Sequence, residues 1–296
     1  MKIIGIDIGG TTIKADLYDD FGTSLNQFKE IETIIDYDLG MNQILNQVCD
    51  LIGEYILNYS IDGVGISTAG VVNANTGEII YAGYTIPGYI GVNFTSEIEK
   101  RFGLSTFVEN DVNCAALGEL WKGQAKDKKN VVMVTIGTGI GGSIIVNGQI
   151  VNGFNYTAGE VGYIPIGNSD WQSKASTTAL IHLYQKKSLK TNQTGRAFFT
   201  DLSSGDKIAK ETFEIFVENL TKGLLAISYL LNPEILILGG GILAKKDILL
   251  PEIQSSLAKN VMDNRFLPKN VVAATLGNEA GRIGAVKNFL DRISNK

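Results

Sequence analysis

The sequence predicts an α/β protein of two lobes, and three observations carry that expectation. Short β-branched runs alternate with helix-periodic segments along the whole chain. The 296 residues exceed the roughly 100–200 usual for one domain. A strand–glycine–strand device also occurs twice, at Ile4-Gly5-Ile6-Asp7-Ile8-Gly9-Gly10-Thr11-Thr12 and at Val134-Thr135-Ile136-Gly137-Thr138-Gly139, which marks a duplicated unit.

Taken in order, Lys2–Ile8 is a near-continuous β-branched run that meets Gly9-Gly10 and resumes as Thr11–Tyr18, predicting two strands joined by a glycine turn. From Leu39 to Leu57, Met41, Ile44, Leu45, Val48, Leu51, Ile52, Tyr55 and Ile56 recur at helical spacing, the pattern of a core-facing helix. Gly63–Ser67 reads as a buried strand, Val92–Phe102 as a helix and Ser105–Val108 as a strand. Behind the polar Glu109-Asn110-Asp111, Val112–Trp121 carries Ala115, Ala116, Leu117, Leu120 and Trp121 in helical order, with Asp111 at or beside the cap.

The second half opens like the first: Val131–Ile136 is a strand, Gly137–Gly142 a turn and Ser143–Val146 the returning strand. Ser176–Lys186 reads as a helix, and Lys207–Leu231 as a long one stopped by Asn232-Pro233. Glu234–Leu238 is a strand that runs into Gly239-Gly240-Gly241. A helix over Pro251–Val261, a strand over Val271–Thr275 and a helix over Gly281–Ile293 complete the alternation.

Composition narrows the function classes. Cys49 and Cys114 are the only cysteines, so neither a disulfide framework nor a thiolate metal cage is expected. The net charge is -5 and no extended run of Lys or Arg occurs, which argues against nucleic acid as a partner. The longest apolar stretches, Val131–Val146 and Leu224–Leu243, are interrupted by glycine, Thr, Asn, Pro or Glu, so no membrane span is expected. The amino-terminal run shows no export cleavage site, and the expected location is cytoplasmic. Glycine is the outlier: 34 residues exceed the roughly 7% of average usage, and with five prolines they suggest tight backbone approaches within folded structure.

Three glycine turns that each follow a buried strand point to chemistry. Without Cβ atoms, backbone N–H groups can converge on an anion, and Thr11, Thr12 and Thr138 add hydroxyl donors. Phosphate is the natural ligand, although any one turn alone reads more readily as an ordinary hairpin, and it is the three in order that point to phosphate. Gly137, Gly139 and Gly142 match G-x-G-x-x-G, yet β-branched residues follow where a dinucleotide fold needs a helix, and no P-loop Gly-Lys-Ser/Thr occurs. Asp7 would set a carboxylate near bound phosphates, where a divalent cation needs an oxygen ligand or an anchor for its waters; a turn-stabilising role is the alternative. Asp111 is the candidate general base: Glu109, Asn110, Asp111 and Asn113 gather more polar side chains than one cap requires, and a carboxylate can take the proton of an alcohol that attacks a γ-phosphate.

These residues together resemble the ROK family, named for its repressors, open reading frames and kinases, within the actin–hexokinase–Hsp70 ATPase superfamily. Asp7–Thr12 is similar to the first phosphate loop, Glu109–Cys114 to the sugar and catalytic segment, and Gly137–Gly142 to the second phosphate loop. Gly239-Gly240-Gly241 is similar to the adenosine-side turn, and Glu279–Ala285 to the closing connection. The resemblance implies an actin-like, ribonuclease H-like fold with an active-site cleft between the lobes. Its first lobe, residues 1–115 plus 282–296, would bind sugar and phosphate, and its second, 116–281, the nucleotide.

It further implies ATP and Mg2+, with Gly9, Gly10, Thr11, Thr12, Lys14, Gly137, Thr138, Gly139, Gly239, Gly240 and Gly241 on ATP and Asp7 on the metal, directly or through water. Asp111 would be the base, Asn110 would hold neighbouring hydroxyls, and Ser67 with the Pro87-Gly88-Tyr89 turn would line the sugar pocket, where Tyr89 could stack on a sugar face. Homodimers are common in the family.

Departures from the family pattern bear on substrate. Ala158–Tyr163 is similar to the segment whose Glu, here Glu160, binds sugar, but Tyr163 replaces the customary zinc-bound histidine. The following cysteine cluster is missing, and Gln172 stands where a second sugar-binding Glu is customary, so no structural zinc is expected. This combination resembles the bacterial β-glucoside kinases, which phosphorylate the 6-hydroxyl of cellobiose-like sugars, more than glucokinases; N-acetylmannosamine kinases and fructokinases share the scaffold. A sugar-responsive transcription regulator is the non-enzyme alternative, though such repressors carry a DNA-reading domain ahead of a motif that here starts within the first ten residues. The sole histidine, His182, reads as an ordinary helix position, Cys114 and Trp121 as packed residues, and Lys14 as a phosphate partner or a solvated side chain.

Overall fold

The most β-branched stretches form strands, and these stack in the same order twice. A computed structural model describes residues 1–83 and 85–294. The chain forms two compact units: Met1–Lys126, Asn152–Thr157 and the C-terminal segment from Leu276 in one, Asp127–Val151 and Ala158–Thr275 in the other.

In the first unit, β1 (Lys2–Ile8) and β2 (Thr12–Asp19) make the expected hairpin, and β3 (Lys29–Glu32) pairs with β2. Helix α1 (Ile44–Asn58) leads to β4 (Gly63–Thr68), which lies parallel to β1. Helix α2 (Phe94–Phe102) then leads to β5 (Thr106–Asn110), parallel to β4, and α3 (Asp111–Lys122) follows without a break. The sheet order is β3-β2-β1-β4-β5.

One sheet face packs Ile4, Ile6 and Val64 against Val48 and Ile52 of α1. On the other, Ile3 and Tyr18 meet Ile283, Val286 and Phe289 of the C-terminal helix Ala280–Ser294. Burial on both faces explains why β1 reads as a continuous apolar run. Part of the glycine excess is spent here: a methyl group on Gly65 would overlap the carbonyl of Ala285, and one on Gly284 the carbonyl of Cys114. Sheet, α3 and C-terminal helix therefore approach backbone to backbone. This packing keeps all of α3 in the first unit, so the boundary expected at residue 115 falls at Lys126, and the chain returns at Leu276 where 282 was expected.

The second unit repeats the order as β8-β7-β6-β9-β10, built from β6 (Val131–Ile136), β7 (Ile140–Val146), β8 (Gln149–Ile150), β9 (Ile235–Gly239) and β10 (Asn270–Ala273). Strand β7 begins at Ile140, so Gly141 and Gly142, expected in the turn, lie in the ladder opposite Thr135 and Val134. Helices α4 (Thr177–Ser188), α5 (Gly195–Ser203), α6 (Lys207–Leu231) and α7 (Lys246–Asn260) supply the rest of this unit's core. Trp171 is fully buried in that core and its Nε1 donates to the Asn219 carbonyl at 3.1 Å. Gly223 sits inside α6 at a cost of about 1 kcal/mol relative to Ala, because the indole occupies the space a side chain would need. Where the resemblance raised the loss of a cysteine cluster, an indole anchors the segment.

Several boundaries differ from expectation. The helix expected from Leu39 begins at Ile44; before it, Ile35–Asp36 and Met41–Asn42 pair as a hairpin. Asp36 Oδ1 accepts from the amides of Asp38 and Leu39, and Gly40 takes a φ of 65°, so the chain turns here in spite of its apolar periodicity. Helix α2 starts at Phe94 because Asn93 caps it, its side chain accepting from Ser96 N. Helix α7 starts five residues before Pro251, at Lys246. Strand β3 and helix α5 were not expected; α5 is short and is set by the Thr194 cap, which accepts from Ala197 N. Among the described residues no helix is long and apolar enough to cross a membrane.

Candidate active site

The first glycine turn closes β1 onto β2, with Gly9 N donating to Thr12 O at 3.0 Å. Thr33, just past β3, ties back two carbonyls of the turn: its N–H donates to Thr11 O and its hydroxyl to Gly10 O, both at 2.9 Å. Carbonyl oxygens repel an anion, so engaging them elsewhere is what a phosphate-binding turn requires. Lys14 lies opposite Asp7 in the hairpin register and also pairs with Glu30 at 3.7 Å, so its charge is shared between the two carboxylates.

Asp7 is partly buried, and Ser67 of β4, its register partner, donates to Asp7 Oδ1 at 2.7 Å. Burial raises the Asp7 carboxyl above the ordinary carboxylate range, opposed by the Ser67 bond and by Arg282 and Lys14. Gly281 completes the setting, since a Cβ there would stand 2.6 Å from Asp7 Oδ1. Ser67 itself is wholly buried. The expectation that it lines an open sugar pocket is corrected: pairing with β1 turns its side chain toward Asp7, which it supports.

The junction of β5 and α3 is the most heavily bonded part of the site. Asn110, with Asp111 as the first helical residue, is the cap: its Oδ1 accepts from Val112 N at 2.9 Å and Asn113 N at 3.1 Å. Its Nδ2 donates to Gly70 O at 2.9 Å and to Asp111 Oδ1 at 3.0 Å. Asp111 Oδ1 accepts Val112 N as well, at 2.9 Å, so this carboxylate is held at the start of the helix, where the dipole favours negative charge. Glu109 is buried beneath, its Oε1 accepting from Asn110 N and Asn113 Nδ2. Desolvation raises the Glu109 carboxyl.

Gly88, with a φ of 66°, is exposed, and a Cβ on it would stand 2.9 Å from Gly40 O of the 35–42 hairpin. Its neighbour Tyr89 is buried, its hydroxyl 2.6 Å from Thr68 Oγ1 and its ring edge-on to Phe94, so the expected stacking on a sugar does not fit. Thr68, bonded to the Tyr89 hydroxyl, is the register partner of Asn110, so this loop lies beside the β5–α3 junction.

In the second unit, Gly137 N donates to Gly139 O and Gly137 O accepts from Thr177 N, the first residue of α4, both at 2.9 Å. Gln172 Oε1 lies 2.6 Å from where a Cβ of Gly139 would be and 3.2 Å from one on Gly162, so Gln172 braces the turn. In the third turn Gly240 takes a φ of 92°, and any side chain there would overlap Ile136 of β6. Gly241 then opens a 3-10 turn, so this glycine run leads into a helix, whereas the other two turns lead into strands.

A cavity of about 390 Å³ adjoins the second and third turns, lined among others by Gly137, Thr138, Thr177, His182, Gln193 and Gly241. His182, read from the sequence as an ordinary helix position, faces this space, as does Gln193, which sequence reasoning missed; α4 periodicity gives no signal of which face borders a turn. Glu160 precedes and Tyr163 ends the 3-10 turn Val161–Tyr163, positioned by Gly159, whose φ is 94° and whose Cβ would stand 2.5 Å from Gly142 O. Both side chains are exposed, and partial desolvation raises the Glu160 carboxyl.

Comparison with known proteins matches this arrangement. The model of the ROK family covers residues 3–292. An uncharacterized protein of Clostridium perfringens is 40% identical over 292 residues, 98% of each chain. The beta-glucoside kinase of Listeria monocytogenes is 32% identical over 302 residues, again 98% of each. The crystal structure of a ROK family glucokinase from Streptomyces griseus in complex with glucose and AMPPNP is similar with a TM-score of 0.79 and 26% identity, over 97% of this chain and 98% of that one. The doubled sheet is that of the actin-like ATPase fold, and the chain belongs to the ROK family.

Proposed function

We propose that the chain is an ATP-dependent sugar kinase that phosphorylates the 6-hydroxyl of a hexose unit, with β-glucosides as its preferred class. The observation that carries this reading is the Asn110–Asp111 pair: a carboxylate fixed at a helix start by its neighbour's amide, in the same unit as a glycine turn whose carbonyls are tied away. Asp111 takes the proton of the hydroxyl as its oxygen attacks the γ-phosphorus; the bond to the bridging oxygen breaks and ADP leaves. Asn110 orients Asp111 and the adjoining hydroxyls, and Glu160 and Tyr163 contribute sugar contacts. The turns at Gly9–Thr12, Gly137–Gly139 and Gly239–Gly241 hold the nucleotide's phosphates, with its nucleoside in the cavity beside α4. Ligand sets named for relatives support this: glucose with AMPPNP for the Streptomyces griseus protein.

Asp7 fits Mg2+ as a single hard-oxygen anchor, the manner in which this ion, retaining its waters, is commonly bound beside phosphates. When bound, the ion neutralises charge on the phosphate oxygens. Ser67 and the bare Cα of Gly281 keep Asp7 oriented and uncovered.

Preference for β-glucosides rests on similarity to the Listeria beta-glucoside kinase and on Tyr163 in place of histidine. Offering cellobiose, gentiobiose, salicin, glucose, N-acetylmannosamine and fructose with ATP and magnesium tests it. Faster turnover of free N-acetylmannosamine than of every β-glucoside would remove the substrate class, and absence of ADP release with all six would remove the kinase.

A further inference from the structure

The hairpin that interrupts the expected helix at Leu39 carries apolar side chains out into solvent: Tyr37 is 66% exposed, Leu39 72% and Met41 60%. Grouped apolar exposure of this kind marks a binding surface. The hairpin is also braced toward the candidate site at three points. The Tyr37 hydroxyl donates to Thr85 O at 3.4 Å, and Thr85 O lies 3.7 Å from where a Cβ of Gly10 in the first turn would be. Asn42 Nδ2 donates to Pro87 O at 2.8 Å. Gly88, required by its φ and by the approach of Gly40, is the third contact, and it precedes Tyr89, whose hydroxyl lies 2.6 Å from Thr68 Oγ1, with Thr68 paired in register to Asn110. The apolar side chains thus belong to a rim continuous with the first turn and with the loop beside the general base.

On the kinase reading proposed above, a glucose unit whose 6-hydroxyl meets Asp111 directs its anomeric carbon, at the other side of the ring, away from the helix start. Free glucose ends there in a hydroxyl that prefers water. A β-glucoside continues into an aglycone whose aryl ring, or whose second pyranose with its C–H face, gains from an apolar surface. We infer that Tyr37, Leu39 and Met41 form the aglycone subsite, and that they set selectivity for aryl β-glucosides over free glucose. Tyr37 supplies a flat face held by its hydroxyl bond, and Leu39 and Met41 supply adaptable apolar surface.

The test compares salicin with glucose in wild type and in the variants Tyr37→Ala, Tyr37→Phe and Leu39→Ser, using ADP release and reading the ratio of the two kcat/KM values. Both wild-type side chains are largely exposed, so the variants keep the fold. The ratio is expected to fall about tenfold in Tyr37→Ala, the equivalent of about 1.4 kcal/mol. It falls severalfold in Leu39→Ser and stays near wild type in Tyr37→Phe, which keeps the ring and loses only the bond to Thr85. An unchanged ratio in both Tyr37→Ala and Leu39→Ser overturns the subsite while leaving the kinase standing. An equal fall in Tyr37→Phe and Tyr37→Ala does the same, because the effect then comes from loop position. Wild type that phosphorylates glucose and no β-glucoside overturns the subsite and the substrate class; wild type that phosphorylates neither overturns the kinase reading with it.

Discussion

Asn110 performs two separable tasks, and substitution can divide them. Its side-chain oxygen caps α3 through Val112 N and Asn113 N, while its side-chain nitrogen holds Asp111 Oδ1 and Gly70 O. Asn110→Ala loses both. The cap is worth about 1 kcal/mol, within a range of roughly 0.5–2. The bond to a charged carboxylate is worth about 1.5–3 kcal/mol, a loss of about 10- to 150-fold in kcat/KM if it acts on the transition state. Asn110→Ser retains a capping oxygen and cannot supply the amide donor. The expected pattern is therefore an unfolding midpoint lowered by a few degrees in Ala and near wild type in Ser, the shift for about 1 kcal/mol in a unit of this size. Turnover falls comparably in both. Thermal melts and coupled ADP release with the best sugar of the panel read the two effects independently. Wild-type turnover in Asn110→Ser would refute the assignment of Asn110 as the residue that positions Asp111, and an unmoved midpoint in Asn110→Ala would refute its role as the cap.

Other substitutions give equally direct readouts. Asp111→Asn keeps an acceptor for Val112 N but cannot take a proton, so kcat should drop by about 10²- to 10⁴-fold with an unchanged melting profile; activity near wild type would exclude it as the base. Gly284→Ala forces a methyl group onto the Cys114 carbonyl and should cost about 1–3 kcal/mol or more, measured as a lower denaturant midpoint. Glu109 is raised by burial, so folding favours its protonated form: its contribution is fully present below the ordinary carboxylate range and is lost as pH rises through the folded value. Glu109→Gln, which mimics the protonated acid, should flatten the fall in stability as pH rises above the ordinary carboxylate range; parallel stability–pH curves for both proteins would count against this origin.

What could be read from the sequence was local. The hairpin at Gly9–Gly10 and its copy at Gly137–Gly139 followed from β-branched runs meeting glycine, and α6 from periodicity with an Asn-Pro stop. Asn110 and Asp111 are equally good caps by residue type, so which one caps α3 was decided by geometry. The buried setting of Ser67 depends on the parallel pairing of β4 with β1, sixty residues apart in sequence, and its partner Asp7 is apparent only once that register is known. His182 and Gln193 came to border a cavity through the docking of α4 against the second turn. The helical spacing expected from Leu39 includes Leu39 and Met41, but Asp36 and Gly40 bend the backbone, and those two side chains project outward.

The C-terminal helix, which fills the groove behind β1 and β4, has a bearing on synthesis as well as on stability. Strands β1 and β4 lack the cover for one of their faces until the helix Ala280–Ser294 has been made, by which time every strand of the second unit has already been synthesised. Until that helix arrives, Ile3, Tyr18 and Phe107 are left open to chaperones, and the Asp7 carboxyl acquires its shelter only when Gly281 packs beside it.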